Sequence, residues 1–167
     1  MSRSGYTEDG EDTWDYIRWR GAVNSAIKGK RGQAFLRELL AALDAMPEKS
    51  LAPGALESDG EFCALGVIGH ARGLDLSSID TENWPQLSRA FNIAESMARE
   101  IMWENDDSVD SWDYVEIHGP LRPAEYRRSE RVWNAFAGLR RWRRMREWAA
   151  GNIIQPASQQ QDASAHD

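Results

Sequence analysis

The longest continuous apolar stripe in the chain lies between Arg31 and Pro47 (RGQAFLRELLAALDAMP). Phe35, Leu36, Leu39, Leu40, Leu43 and Met46 recur there every three or four residues, which places them along one side of a helix. Arg37, Glu38 and Asp44 fall away from the stripe, while Ala41, Ala42 and Ala45 add helix propensity without bulk. Gly32 opens this helix and Pro47 closes it, because proline cannot continue the hydrogen-bond ladder. The other helices are expected to pack around it.

Upstream, Thr13 is a suitable N-cap for a helix running to Lys28, with Tyr16, Trp19, Val23 and Ile27 as its apolar face. Lys28-Gly29-Lys30-Arg31-Gly32 then reads as a tight basic turn between two antiparallel helices. A connector follows Pro47, with Pro53-Gly54 as its turn signal. Ser58 and Glu61 have capping-box spacing and predict a third helix over EFCALGVIGHARG, capped by Gly73. Gly66 and Gly69 on that helix predict close packing against a second helix, the central one being the simplest partner. Asn83 with Gln86 predicts a helix from Trp84 to Phe91. Asn92 with Glu95 predicts another from Ile93 to Asn105, burying Ile93, Met97 and Ile101. Trp112 to His118 alternates loosely but has no evident strand partner, so it reads as extended loop. Pro123 suits the first turn of a last helix reaching Asn152, with Val132, Phe136, Leu139, Trp142, Met145 and Ala149 on its apolar side. The expected fold is therefore all-α: one compact bundle of five to six helices over residues 13–154. It would carry an irregular acidic loop at 108–122 and polar, disordered tails at 1–12 and 155–167.

Composition narrows this picture. A chain of 167 residues suits one domain, and no apolar run approaches the roughly 20 residues of a bilayer span. No leader-like segment follows Met1, so export is not expected, and the single Cys63 rules out an internal disulfide and suits a reducing cytoplasm. Eight tryptophans imply either large rings in a small core or a ring-rich contact surface. The net charge of −7 is segregated: residues 48–116 hold 15 acidic and 4 basic side chains, a balance of −11. Residues 117–151 hold 9 arginines and 3 acidic groups, a balance of +6. Such a dipole bears on partners, unless the two segments neutralise each other within the fold.

Four blocks carry a resemblance: WRGAVNSAIKGKRGQAFLRELLAALDAMPEKSL, DGEFCALGVIGHARGLDL, FNIAESMAREIMWEND and RWRRMREW. In this order they resemble small hypothetical proteins of bacteriophages and prophages of Gram-negative bacteria. That resemblance implies expression inside a bacterial cell. It brings no assigned activity and no site residue, and it marks Ser108 to Leu139 as a segment where relatives look shorter, an insertion with a role of its own.

Chemistry-bearing constellations are few. Cys63 sits on an apolar helix where a thiol is inert, and Cys63 and His70 are about 10 Å apart at ~1.5 Å per residue, too far for proton transfer. His118 falls in a loop and His166 in the tail. The glycines around Gly66 follow no strand and match no phosphate-loop spacing. Glu104, Asp106, Asp107, Asp110 and Asp113 offer hard oxygen ligands, yet no frame fits an EF-hand, so they read as a solvated acidic face able to bind a partner. Lys28, Lys30 and Arg31 precede a helix N-terminus, where free N–H groups favour anions. Arg140, Arg141 and Arg144 lie opposite Leu139 and Trp142 and suit either phosphate contacts or internal ion pairs.

The reading that results is a non-enzymatic phage accessory protein without metal or cofactor. It would bind a host or phage macromolecule through a charged, tryptophan-bearing surface, as a counter-defence protein whose acidic face imitates nucleic acid would. Two alternatives stand beside it: a nucleic-acid-binding regulator using the basic turn and last helix, and a small metal-dependent enzyme using the acidic loop. A protein partner is favoured over nucleic acid, no membrane is expected, and self-association stays open.

Overall fold

The computed structural model describes residues 13–116 and 129–155. The tails expected at 1–12 and beyond Gln155 lie outside that set, as do His118, Pro123 and His166. Six helices follow in order: α1 (Thr13–Lys28), α2 (Lys30–Ala45), α3 (Ala64–Ala71), α4 (Trp84–Phe91), α5 (Glu95–Asp106) and α6 (Ala137–Asn152). Two antiparallel hairpins interrupt them, β1 (Glu57–Ser58) with β2 (Glu61–Phe62) and β3 (Trp112–Glu116) with β4 (Ser129–Trp133). The fold is mostly helical rather than all-α.

The stripe on α2 is the centre of the core. Phe35, Leu36, Leu39 and Leu43 are buried, and α2 packs on α1, α3 and α6. Val23 and Ile27 of α1, Leu65 and Ile68 of α3, Leu87 and Phe91 of α4, Met97 and Ile101 of α5 and Met145 of α6 complete one continuous cluster. Tyr16, expected on the inner face of α1, is exposed instead.

The basic turn is shorter than expected. Gly29 alone separates the two helices, with its N–H donating to the Ser25 carbonyl at 3.0 Å and its carbonyl accepting from Gln33 N–H at 2.9 Å. Gly32 is buried in the corner, where a Cβ would collide with the Ala26 carbonyl oxygen. Lys30 and Arg31 thus belong to the first turn of α2.

Sequence spacing matches only some of the local caps. Asn83 does cap α4, accepting from Gln86 N–H at 3.1 Å. Asn92, however, ends α4 in the left-handed region (φ 54°), and α5 starts at Glu95. Ser58 and Glu61 form no capping box; they face each other across a two-residue turn in which Asp59 and Gly60 both have positive φ. That geometry is the hairpin turn which Asp-Gly favours. Helix α3 begins only after Cys63.

Gly66 and Gly69 are buried close-packing glycines, but their neighbour is not α2. A Cβ on Gly66 would strike the Leu56 carbonyl of the connector, whereas one on Gly69 would strike the Leu76 side chain and touch the Phe91 ring, so the helix packed on Gly69 is α4. The largest revision concerns 129–136. Ser129–Trp133 is the strand that pairs with Trp112–Glu116, so the segment expected as a lone extended loop has a partner after all. Helix α6 consequently starts at Ala137 rather than Pro123.

Candidate functional site

The β3–β4 ribbon is one of two described segments that hold several large apolar groups outside the core, the other being the start of α1 with Trp14, Tyr16 and Ile17. WDYVE holds two aromatic residues and a valine, and SERVW ends in Val132-Trp133, residues that suit a pleated strand. Their register pairs Trp112 with Trp133, Tyr114 with Arg131 and Asp113 with Val132. Period-two alternation then puts Trp112, Tyr114, Arg131 and Trp133 on one face and Asp113, Val115, Glu130 and Val132 on the other. Trp112 and Trp133 meet edge to face at 5.4 Å, and the Arg131 guanidinium lies 4.6 Å from the Trp112 ring centre. Despite those contacts Tyr114 is 70 % exposed, Trp133 57 % and neighbouring Phe136 67 %, with Val115 and Val132 also open to solvent. Large apolar groups clustered on a surface mark interaction sites more often than scattered ones do.

The root of the ribbon is firmly tied. Asn134 N–H donates to the Ser111 carbonyl at 2.9 Å, and the Asn134 side-chain oxygen accepts from Phe136 N–H at 2.8 Å. Asp110 accepts from Trp112 N–H at 3.0 Å. From α6, the Arg141 guanidinium donates to the Val109 carbonyl at 3.3 Å and to the Ser111 hydroxyl. Arg141 is 1 % exposed and belongs to the buried stripe Ala137, Arg141, Met145 and Ala149, which repeats every four residues. It is therefore not on the solvent side opposite Leu139, and it cannot meet an external phosphate. Burial pulls its pKa below the ordinary guanidinium value, and the carboxylates of Asp106, Asp110 and Glu61 act against that shift.

The five carboxylates expected as one acidic face divide between two roles. Glu104 is buried and accepts from Arg144 Nε at 2.8 Å; desolvation raises its pKa, partly offset by that hydrogen bond. Asp106 accepts from Gly54 N–H at 3.1 Å and from the Asn105 amide at 2.8 Å, holding the connector against α5. Both are structural. Asp107, Asp110 and Asp113 remain exposed at the ribbon root, with Asp113 4.0 Å from Arg140.

The arginine-rich stretch is likewise spent largely inside the molecule. Arg144 pairs with Glu104, Arg146 with Asp44 at 2.5 Å, and Trp142 Nε1 donates to the Leu43 carbonyl at 3.0 Å. Arg140 and Arg143 stay exposed, as do Lys28, Lys30 and Arg31 at the α1–α2 corner. The corner meets the C-terminal end of α6 through Gln33 and the Asn152 carbonyl, whereas Arg140 lies twelve residues back along that helix, about 18 Å at ~1.5 Å per residue.

Cys63 is buried and His70 exposed, its ring stacked on Phe62 at 4.7 Å. Among the described residues no group of three or more His, Cys, Asp or Glu side chains is placed to hold a metal ion. None of the described helices is long and apolar enough to cross a membrane. Comparison with protein-family models, curated proteins and solved structures finds no match to this chain.

The ribbon was the site missed by periodicity. The sequence signal is two short runs carrying strand-forming residues, WDYVE and SERVW, separated by twelve residues within the segment Ser108 to Leu139.

Proposed function

We propose that this chain is a non-enzymatic binding protein that grips another protein through the exposed aromatic face of the β3–β4 ribbon. The observation that carries the reading is that Tyr114 and Trp133 on one face of the ribbon, with Phe136 just beyond β4, are all more than half exposed, while the ribbon's root is fixed by Arg141 and Asn134. Rigid aromatic side chains supply contact area at small entropic cost, and such rings dominate protein interfaces. Asp107, Asp110 and Asp113 beside the root favour a partner with a basic rim around an apolar patch. The acidic contribution is thus narrower than a nucleic-acid mimic of five carboxylates would need. A phage or prophage setting, with a counter-defence role in a bacterial cytoplasm, rests on the sequence resemblance alone.

Affinity capture from a bacterial lysate tests this reading, using wild type beside Tyr114→Ser and Trp133→Ser. Both side chains are more than half exposed, so the fold should persist by circular dichroism, Trp133→Ser giving up only its edge contact with Trp112. Proteins captured by wild type and lost with both variants would support the reading. An identical capture profile would overturn it. Retention of labelled single-stranded DNA or RNA by wild type, lost in the same variants, would replace it with nucleic-acid binding.

A further inference from the structure

A second surface feature has a different chemistry. A cavity of about 420 Å³ lies between the C-terminal ends of α2 and α3 and is closed at one side by the β1–β2 turn. Its apolar lining includes Met46, Pro47, Phe62 and Val67. Alanines 42, 45 and 71 leave the furrow open, because they put only a methyl group where a larger side chain would fill it. The volume falls within the ~300–1,000 Å³ typical of ligand-binding clefts.

The charged side chains that line this furrow have one sign, with the His70 imidazole beside them and the Arg141 guanidinium buried behind Glu61. Glu48 and Glu61 line it, and no lysine or arginine is among its described lining residues. Both helices also direct their C-terminal turns here, α2 ending at Ala45 and α3 at Ala71, which adds the partial negative charge of the helix macrodipole. Lys49, the nearest cation in sequence, is turned away onto the Leu43 and Asp44 carbonyls, at 3.3 and 2.6 Å. Arg72 is engaged with Glu38 at 2.6 Å and with the Phe91 carbonyl at 3.0 Å.

We infer that this furrow is a docking site for a basic amphipathic peptide segment, independent of the ribbon. An apolar side chain of the segment seats over Met46, Phe62 and Val67, and flanking lysines or arginines meet Glu48 and Glu61. Apolar grooves with acidic rims take amphipathic helices by this division of labour: buried anchors supply affinity, and rim charges supply orientation and rate.

Fluorescence anisotropy with two labelled synthetic peptides tests it on the full chain. Both peptides place leucines at i, i+3, i+4 and i+7; one carries lysine at the polar positions and the other glutamate. Wild type should bind the lysine peptide saturably and at least roughly tenfold more tightly than the glutamate peptide. Ala45→Trp, which fills the furrow from an exposed position, should weaken that binding by about tenfold or more. Glu48→Lys/Glu61→Lys should weaken it and flatten its dependence on salt. If Ala45→Trp melts early, Ala71→Trp obstructs the same furrow from the opposite wall and gives the same reading. Absence of saturable binding, equal affinity for the two peptides, or full affinity in a folded Ala45→Trp or Ala71→Trp would each overturn the proposal. Binding lost in Trp133→Ser but kept in Ala45→Trp would assign the peptide to the ribbon instead.

Discussion

Gln33 and Ile154, 121 positions apart, are joined through a buried side-chain amide: Gln33 Oε1 accepts from Ile154 N–H at 2.8 Å. The same amide donates through Nε2 to the carbonyls of Ile27 and Asn152, both at 2.9 Å. One polar side chain in the first turn of α2 thus satisfies the ends of α1 and α6, where helix carbonyls lack intrahelical partners. It does so while 7 % exposed, in a position that a purely apolar reading of the stripe passes over.

Replacing Gln33 by leucine should therefore cost more than an ordinary surface change. The Ile27 carbonyl loses its partner in a buried place, and the Asn152 carbonyl and Ile154 N–H lose theirs in half-buried ones, for an expected loss of about 2–4 kcal/mol, taking ~1–3 for each group left fully unsatisfied and allowing for water. Urea unfolding of Gln33→Leu against wild type reads this directly. A midpoint equal to wild type would show that the amide closes nothing essential.

Glu104 makes the stability of the fold depend on pH in a defined direction. Burial raises its folded-state pKa above the ordinary glutamate value, even with Arg144 bonded to it. A raised pKa means the protonated form is favoured by folding, so this group's stabilising contribution is complete below the unfolded value. It is lost as pH rises through the folded value. Glu104→Gln keeps the shape and removes the titration. Measured against wild type, its relative stability should improve as pH rises above the ordinary glutamate range, all other carboxylates titrating alike in both proteins. A difference that stays flat, or moves the other way, would contradict the assignment.

Two glycines should respond oppositely to the same substitution. A Cβ on Gly66 meets the Leu56 carbonyl, a backbone atom that cannot swing aside, so Gly66→Ala should destabilise by about 1–3 kcal/mol. Gly21 lies within α1 with nothing within 4 Å of an added Cβ. There Gly21→Ala should stabilise by roughly 0.5–1 kcal/mol through helix propensity. Thermal melts of the two single variants compare them; a shared sign would undo the distinction.

Arg141 should act on the ribbon root more than on the core. Arg141→Met preserves bulk in the buried stripe but removes both donors to Val109 and Ser111. Hydrogen exchange at the Asn134 amide, which donates to the Ser111 carbonyl, is then expected to accelerate, while the core amides of α2 and α5 keep their protection. Uniform acceleration across the fold, or none at Asn134, would place the function of Arg141 elsewhere.

How much of this was legible beforehand depends on whether a residue's fate is set by its near neighbours. The α2 stripe, the Asn83 cap and the separate helices α4 and α5 follow from local spacing, since side chains at i, i+3 and i+4 share a face in any α-helix. Val132 and Phe136 also have helical spacing to Leu139, and that coincidence hid a strand whose partner lies across a gap of twelve residues. Pairing between distant segments is settled by which edges meet in three dimensions, and no single window of sequence contains that information. The same limit governs the charges. Glu104 and Asp107 are the same kind of group three positions apart, yet one is buried against Arg144 and the other is exposed. Arg141 and Arg140 are adjacent, and the packing of α6 against its neighbours buries the first and leaves the second in water. The sequence by itself determined a helical core built on α2, because its apolar period is local and strong. Only the tertiary structure decided which acids, bases and rings were left at the surface, because burial belongs to the contacts between elements.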